Sequence, residues 1–233
     1  MNGYTSKILR VDLDKRQVRT ISTQDYVGSF IGGRGIAVKL TYDFLSEKVD
    51  ALGKENVLIF MTGPLTGTFA PSSGRIDVIS KSPETGLLGG ANAGGFFGPE
   101  LKYAGYDGIV VMGRAESPVC IDIFNDEVEI KDAQNLWGKG VFETVKILTT
   151  VDKETQVACI GPAGENRVNL SGIAFSMRNY AARGGLGAVM GSKNLKAIAV
   201  RGTKGLDIGN PDRLRGVAEK MRERISNMPS YPE

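Results

Sequence analysis

Glycine recurs through one stretch of this chain more densely than a regular helix or strand accommodates. Between residues 86 and 105 it stands at Gly86, Gly89, Gly90, Gly94, Gly95, Gly98 and Gly105. Each costs backbone entropy on folding and brings no side chain to a core. Such a run fits a backbone that turns sharply or approaches something closely. It leads into Pro99-Glu100-Leu101-Lys102, a first helical turn with proline near its start. A Gly-rich loop that opens a helix aims amide N–H groups at one spot, which suits a phosphate or another anion. For an isolated run, a tight loop with close helix packing is the better reading. A second run, Ala181-Ala182-Arg183-Gly184-Gly185 through Lys193, weakens that alternative.

The elements around these runs follow from apolar periodicity. Residues 4–12 and 17–21 alternate as paired strands across Asp14-Lys15-Arg16. Thr23 can cap a helix over 24–30, and Ile36–Leu45 gives another. Between them Ile31-Gly32-Gly33-Arg34-Gly35 reads as an interruption. It could be a plain turn, although an arginine held between glycines also suits an anion. Residues 57–61 read as a buried strand ending in Gly63-Pro64, and 76–81 as an alternating strand. Residues 107–113 form another buried strand. A hairpin is expected over 119–124 and 127–131 across Asn125-Asp126. A helix is expected over 139–151, and strands over 156–160, 167–175 and 195–202.

The order repeats. The strand before Gly63-Pro64 matches the strand before Gly161-Pro162, Gly94-Gly95 matches Gly184-Gly185, and the strand to Gly113 matches the strand to Gly202. The reading is an internal duplication in an α+β fold, with two β-sheet halves related by a pseudo-twofold axis. The hairpin and helix over 119–151 stand outside the repeat. The two Gly-rich loops then face each other across one ligand, with Arg75 projecting into their shared space. Residues 1–205 form one domain. After a linker, Asn210 caps and Pro211 starts a charged helix whose Leu214, Val217, Met221 and Ile225 share one face. Residues 206–233 therefore read as the start of a following helical domain, truncated where the chain runs out at Ser230-Tyr231-Pro232-Glu233.

Composition removes several chemistries. With no histidine and only Cys120 and Cys159, the chain offers no His base, no zinc site and no iron–sulfur site of its own. Both cysteines sit in apolar runs and read as buried, unpaired thiols, which fits a reducing cytoplasm. A net charge of +3 is too small to argue for nucleic acid, and no apolar run is long enough to span a membrane.

Taken together, Phe30-Ile-Gly-Gly-Arg-Gly, Thr62-Gly-Pro-Leu-Thr-Gly-Thr, Ala91-Asn-Ala-Gly-Gly-Phe-Phe-Gly-Pro-Glu-Leu-Lys, Ala104-Gly-Tyr-Asp, Ile160-Gly-Pro-Ala-Gly-Glu-Asn and Arg183-Gly-Gly-Leu-Gly-Ala-Val-Met-Gly-Ser-Lys resemble, in order, the N-terminal domain of the aldehyde ferredoxin oxidoreductase family. The resemblance spans about residues 3–202. It implies a two-sheet base for a tungsten (or molybdenum) bis-pterin cofactor whose phosphates are bridged by magnesium. It gives Asn92 and Tyr180 as magnesium ligands through their main-chain carbonyls. It places Arg75 between the pterin and a 4Fe-4S cluster. Ala93, Gly94, Gly95, Arg183, Gly184 and Gly185 complete the cofactor-binding set. At Asn179-Tyr180 the chain departs from the family pattern, which has arginine there, and Arg178 or Arg183 is left to take its place. No catalytic residue falls in this chain. The resemblance implies an enzyme that oxidises aldehydes to carboxylic acids and passes electrons to ferredoxin. It also implies cluster cysteines and acid/base residues in C-terminal domains, with a homodimer among the expected assemblies. The chain alone is then expected to be inactive. A standalone phosphate or nucleotide module and a structural subunit are the competing readings; neither a P-loop nor a Rossmann fingerprint is present.

Overall fold

The computed structural model describes residues 2–46 and 48–228, so the closing residues 229–233 lie outside the described residues. The first half contains β1 (Lys7–Asp12), β2 (Gln17–Ser22), α1 (Gln24–Val27), α2 (Gly33–Phe44), β3 (Leu58–Met61), β4 (Ile76–Lys81), β5 (Leu88–Ala93), α3 (Phe97–Ala104) and β6 (Gly108–Met112). The second contains β7 (Val119–Phe124), β8 (Glu127–Asp132), α4 (Val141–Leu148), β9 (Gln156–Cys159), α5 (Pro162–Glu165), β10 (Ile173–Phe175), β11 (Asn179–Ala181), α6 (Leu186–Ser192) and β12 (Leu195–Arg201). One sheet runs β2-β1-β6-β3-β4-β5 and the other β8-β7-β12-β9-β10-β11. Strand for strand, both have one parallel pair, β1–β6 and β7–β12, and are otherwise antiparallel.

The duplication is therefore larger than its sequence signal. The β7–β8 hairpin occupies the place of β1–β2 and α4 that of α2, so the hairpin and helix expected to stand outside the repeat belong to it. Their apolar side chains face the same surfaces but share no distinctive motif. Further local differences have physical causes. The helix expected over 24–30 is one short turn, because Thr23 does not cap it. Its hydroxyl donates instead to Asp107 Oδ2 at 2.7 Å. Gly33 to Gly35 are the first turn of α2 rather than an interruption. β5 and β11, both in glycine-rich sequence, are strands that periodicity did not predict.

The main core lies between the sheets. Leu9, Phe60, Val78 and Ile109 point into it from the first sheet, and Ile121, Phe175, Ile198 and Val200 from the second. α3 and α6 fill the remaining space, and each crosses over: α3 packs on β9 and β12, and α6 on β3 and β4. Phe175 meets Phe60 and Phe97 edge to face, with ring centroids at 6.2 and 5.2 Å. Its burial against the other half contributes about 2–3 kcal/mol. The outer faces are covered by α2, through Ile36, Ala37 and Leu40, and by α4, through Val145.

One buried charge ties the halves, and another holds the first half together. The Lys193 ammonium, fully buried at the end of α6, donates to Asn56 O at 2.5 Å and Gly113 O at 3.0 Å in the first half. Burial, then the neighbouring Arg114 charge, brings its pKa down to about 8. Lys102 pairs with Asp107 at 2.5 Å in a fully buried site, and Asp107 also accepts the Thr5 N–H and the Thr23 hydroxyl. Burial lowers the Lys102 pKa, while Asp107 opposes that shift.

α7 (Pro211–Ser226) starts at Asn210, whose side chain accepts the Arg213 N–H at 2.9 Å. It folds back on the loop after β3. Ala218 is buried, Arg222 donates to Phe69 O, and the Arg215 guanidinium lies 5.3 Å from the Phe69 ring centroid. Among the described residues no helix is long and apolar enough to cross a membrane.

Candidate functional site

The two sheets meet along an edge. β5 and β11, each the last strand of its sheet, lie side by side without joining into one ladder. They run in opposite senses. At one end Gly94 and Gly95 rest against the Asn179 side chain, and at the other Gly184 rests against Gly89 and Ser82. An edge strand keeps a row of main-chain N–H and C=O groups that its own sheet does not use. Here two such rows border one seam.

Asn92 and Tyr180 hold equivalent places on it. In the first sheet a row of paired residues runs Ile8, Gly108, Met61, Asp77, Asn92. In the second the matching row runs Cys120, Ala197, Cys159, Ala174, Tyr180. Both end residues are exposed and point to the outer faces of their sheets. Ala93, next to Asn92, is buried toward the core.

Arg75 precedes β4 and donates through Nη1 to Asn92 Oδ1. It lines two cavities. One, about 680 Å³, also includes Gly74, Gly94, Gly95, Phe96 and Tyr103. The other, about 590 Å³, lies between Gly33, Arg34 and Asp77 on one side and Leu214, Val217 and Met221 of α7 on the other. Arg75, Asn92, Gly94 and Gly95 are thus brought together.

Gly184 and Gly185 are not in that group. They sit at the far end of the seam, five strand residues or about 17 Å along β5 from Gly94. The expectation of one space shared by both loops and reached by Arg75 gives way to a different arrangement. Because the edge strands run in opposite senses, the pseudo-twofold axis puts each Gly-Gly pair at its own end. Arg183 is exposed near that end, and Arg178 is exposed just before β11, toward the Gly94-Gly95 end.

The glycines themselves divide by surroundings. A Cβ at Gly185 would come 2.2 Å from Asn169 O, and one at Gly191 would come 2.0 Å from Gly164 O. Those positions are needed for close packing of α6, as the plain reading of a Gly-rich run has it. A Cβ at Gly94 would meet nothing nearer than Asn179 Oδ1 at 3.6 Å, and one at Gly184 nothing nearer than 3.5 Å. Gly94 meets only the Asn179 side chain and leaves its main chain approachable by a ligand, whereas Gly184 is already in contact with Gly89 and Ser82. Sequence reasoning missed β5 and β11 as strands. Burial alternates along β5, with Gly89, Ala91 and Ala93 inward, but glycine and alanine carry no apolar period that marks the strand in the sequence.

The sequence profile of the aldehyde ferredoxin oxidoreductase N-terminal domain matches residues 8–202. The tungsten-containing aldehyde ferredoxin oxidoreductase of Pyrococcus abyssi is 45% identical over 235 residues, covering all of this chain and 38% of that protein. The WOR-like subunit of an aliphatic sulfonate oxidoreductase of Pyrococcus furiosus is 37% identical over 252 residues, covering all of this chain and 40% of that subunit. Among solved structures, the active-site complex BamBC of benzoyl coenzyme A reductase, with 1,5-dienoyl-CoA, is similar at a TM-score of 0.93 and 40% identity. That likeness covers 99% of this chain and 36% of the other. The chain therefore spans 36–40% of the length of these relatives.

Proposed function

Because the chain belongs to the aldehyde ferredoxin oxidoreductase family and matches its N-terminal domain, we propose that it is the cradle for a tungsten bis-pterin cofactor, held along the β5/β11 seam. The observation that carries this reading is the equivalence of Asn92 and Tyr180 on two facing edge strands, with Arg75 against Asn92. Two related main-chain carbonyls suit one cation that bridges two phosphates, and the family resemblance gives that cation as magnesium.

The residues fit an anionic, two-part group. Gly94 keeps an approachable side at one end of the seam, where an added side chain would occupy ligand space. Arg75 is exposed on a cavity and permanently charged, and its planar fork matches an oxyanion. α7 supplies an apolar wall on one side of that cavity, which limits water around the guanidinium. When bound, the cofactor supplies the two-electron oxidation of an aldehyde and water to a carboxylic acid, with the electrons leaving through a 4Fe-4S cluster to ferredoxin. This chain binds and orients. Its two cysteines are buried in the second sheet, so we assign the cluster ligands and proton-transfer groups to C-terminal parts of the enzyme.

Relatives named for aldehydes, for aliphatic sulfonates and for benzoyl coenzyme A share this domain. That breadth supports a domain devoted to the cofactor, with substrate choice made elsewhere. The test is the tungsten content of the full-length enzyme carrying Arg75→Ala. The reading expects less tungsten per chain with an unchanged thermal midpoint; full tungsten content would count against it.

A further inference from the structure

The Gly32-Gly33-Arg34-Gly35 motif is left unused by the seam as described. Arg34 stands in the first turn of α2, and the Gly33 N–H donates to Thr62 O at 2.8 Å, which fixes the motif to the loop after β3. Arg34 Nη2 lies 3.3 Å from Asp77 Oδ1, with the side chain 58% exposed. Its Nε would be 4.0 Å from a Cβ at Gly90, so the side chain runs over that glycine. Gly90 and Asn92 are successive residues on one face of β5, about 7 Å apart. Arg34 therefore stands beside Gly90 as Arg75 stands beside Asn92, and both line the cavity of about 590 Å³.

An exposed Arg–Asp pair is ordinarily a solvated contact of little consequence. Three features set this one apart. Asp77 engages a single nitrogen of a guanidinium that has five N–H donors. The partner of Arg75 is an amide, so two guanidiniums share the cavity with one carboxylate and leave a positive surplus. The opposite wall, Leu214, Val217 and Met221, is apolar and strengthens charge interactions across the space.

We propose that Arg34 is the second guanidinium of the anion site, binding a phosphoryl group jointly with Arg75, and that Asp77 is its positioning residue. This inference rests on the cradle reading and adds to it a residue and a ligand chemistry.

The probe is inorganic pyrophosphate, titrated calorimetrically into the full chain. The wild type is expected to bind it. Arg34→Gln and Arg75→Gln are each expected to weaken binding by about tenfold or more, the usual cost of a charge-assisted contact. Arg34→Lys keeps the charge and loses the fork, so a smaller weakening is expected. Circular dichroism and the thermal midpoint should not change. Wild-type affinity in Arg34→Gln, or no binding by the wild type, overturns the inference. If Arg34→Gln does not fold, Arg34→Lys decides, and wild-type affinity there overturns it equally. The cradle reading is judged separately by the tungsten content of the Arg75→Ala enzyme, so the two can fail independently.

Discussion

Asn92 and Tyr180 terminate equivalent five-residue rows in the two sheets and meet across one seam. They share no side-chain chemistry. What they share is a place: the end of an equivalent row on an edge strand, on the outer face, two residues before Gly94-Gly95 in one case and four before Gly184-Gly185 in the other. A role that uses main-chain carbonyls survives such a difference, whereas a role for the side chains would not. The relationship leads to the following expectations.

Gly94→Ala should separate ligand space from folding. Its Cβ has room, with the nearest atom at 3.6 Å, so thermal stability should stay within about 0.5 kcal/mol of wild type. Tungsten content of the full-length enzyme should fall. Gly95→Val is expected to do both worse, but for two reasons. Gly95 sits at φ +97, and its Cβ would lie 2.8 Å from Asn179 Nδ2, so this variant should also lose about 1–3 kcal/mol of stability. Denaturant titration beside metal analysis distinguishes the two variants.

Cys120 and Cys159 should resist thiol reagents in the native chain. Both are buried, and burial pushes each thiol up to about 12. They flank Ala197 in adjacent strands, which sets their Cα atoms about 9–10 Å apart, too far for a disulfide. Labelling at the rate of an unfolded control would contradict this.

Lys193 predicts a pH dependence with a defined sign. Its folded pKa of about 8 lies below the ordinary lysine value of 10.5. Between those values the unfolded chain holds a proton that the folded chain has released. Stability from this residue therefore rises as pH increases from about 8 toward 10.5. Lys193→Met removes the titration. The difference in denaturation midpoint between wild type and Lys193→Met should move in favour of the lysine over that window, and a flat difference would refute the assignment.

The legible parts of the fold were those whose residues obey one period. β8 alternates cleanly, and β4 and β7 are largely buried runs of strand length; all three fall where the sequence puts them. α7 carries its own start signal, and Asn210 makes the expected cap. β5 was hidden because Leu88-Gly-Gly-Ala-Asn-Ala has almost no strand propensity; tertiary pairing with β4 makes it a strand. The extent of the duplication was hidden because apolar faces diverge freely while Gly-Pro and Gly-Gly turns do not. Arg75 and Asn92, each expected at a site from the family resemblance, lie in hydrogen-bond contact in the structure. The separation of the Gly-Gly pairs was not legible, because it depends on the relative direction of two edge strands that periodicity did not reveal.

The most direct measurement is a crystal structure of the full-length enzyme with its cofactor bound. The account predicts phosphate oxygens and a bridging cation along the β5/β11 seam, with the main-chain carbonyls of Asn92 and Tyr180 as ligands and Arg75 against the cofactor. A cofactor lodged elsewhere, for instance in the groove of about 710 Å³ between Tyr42 of α2 and Leu87-Leu88, with the seam left to solvent, would contradict it.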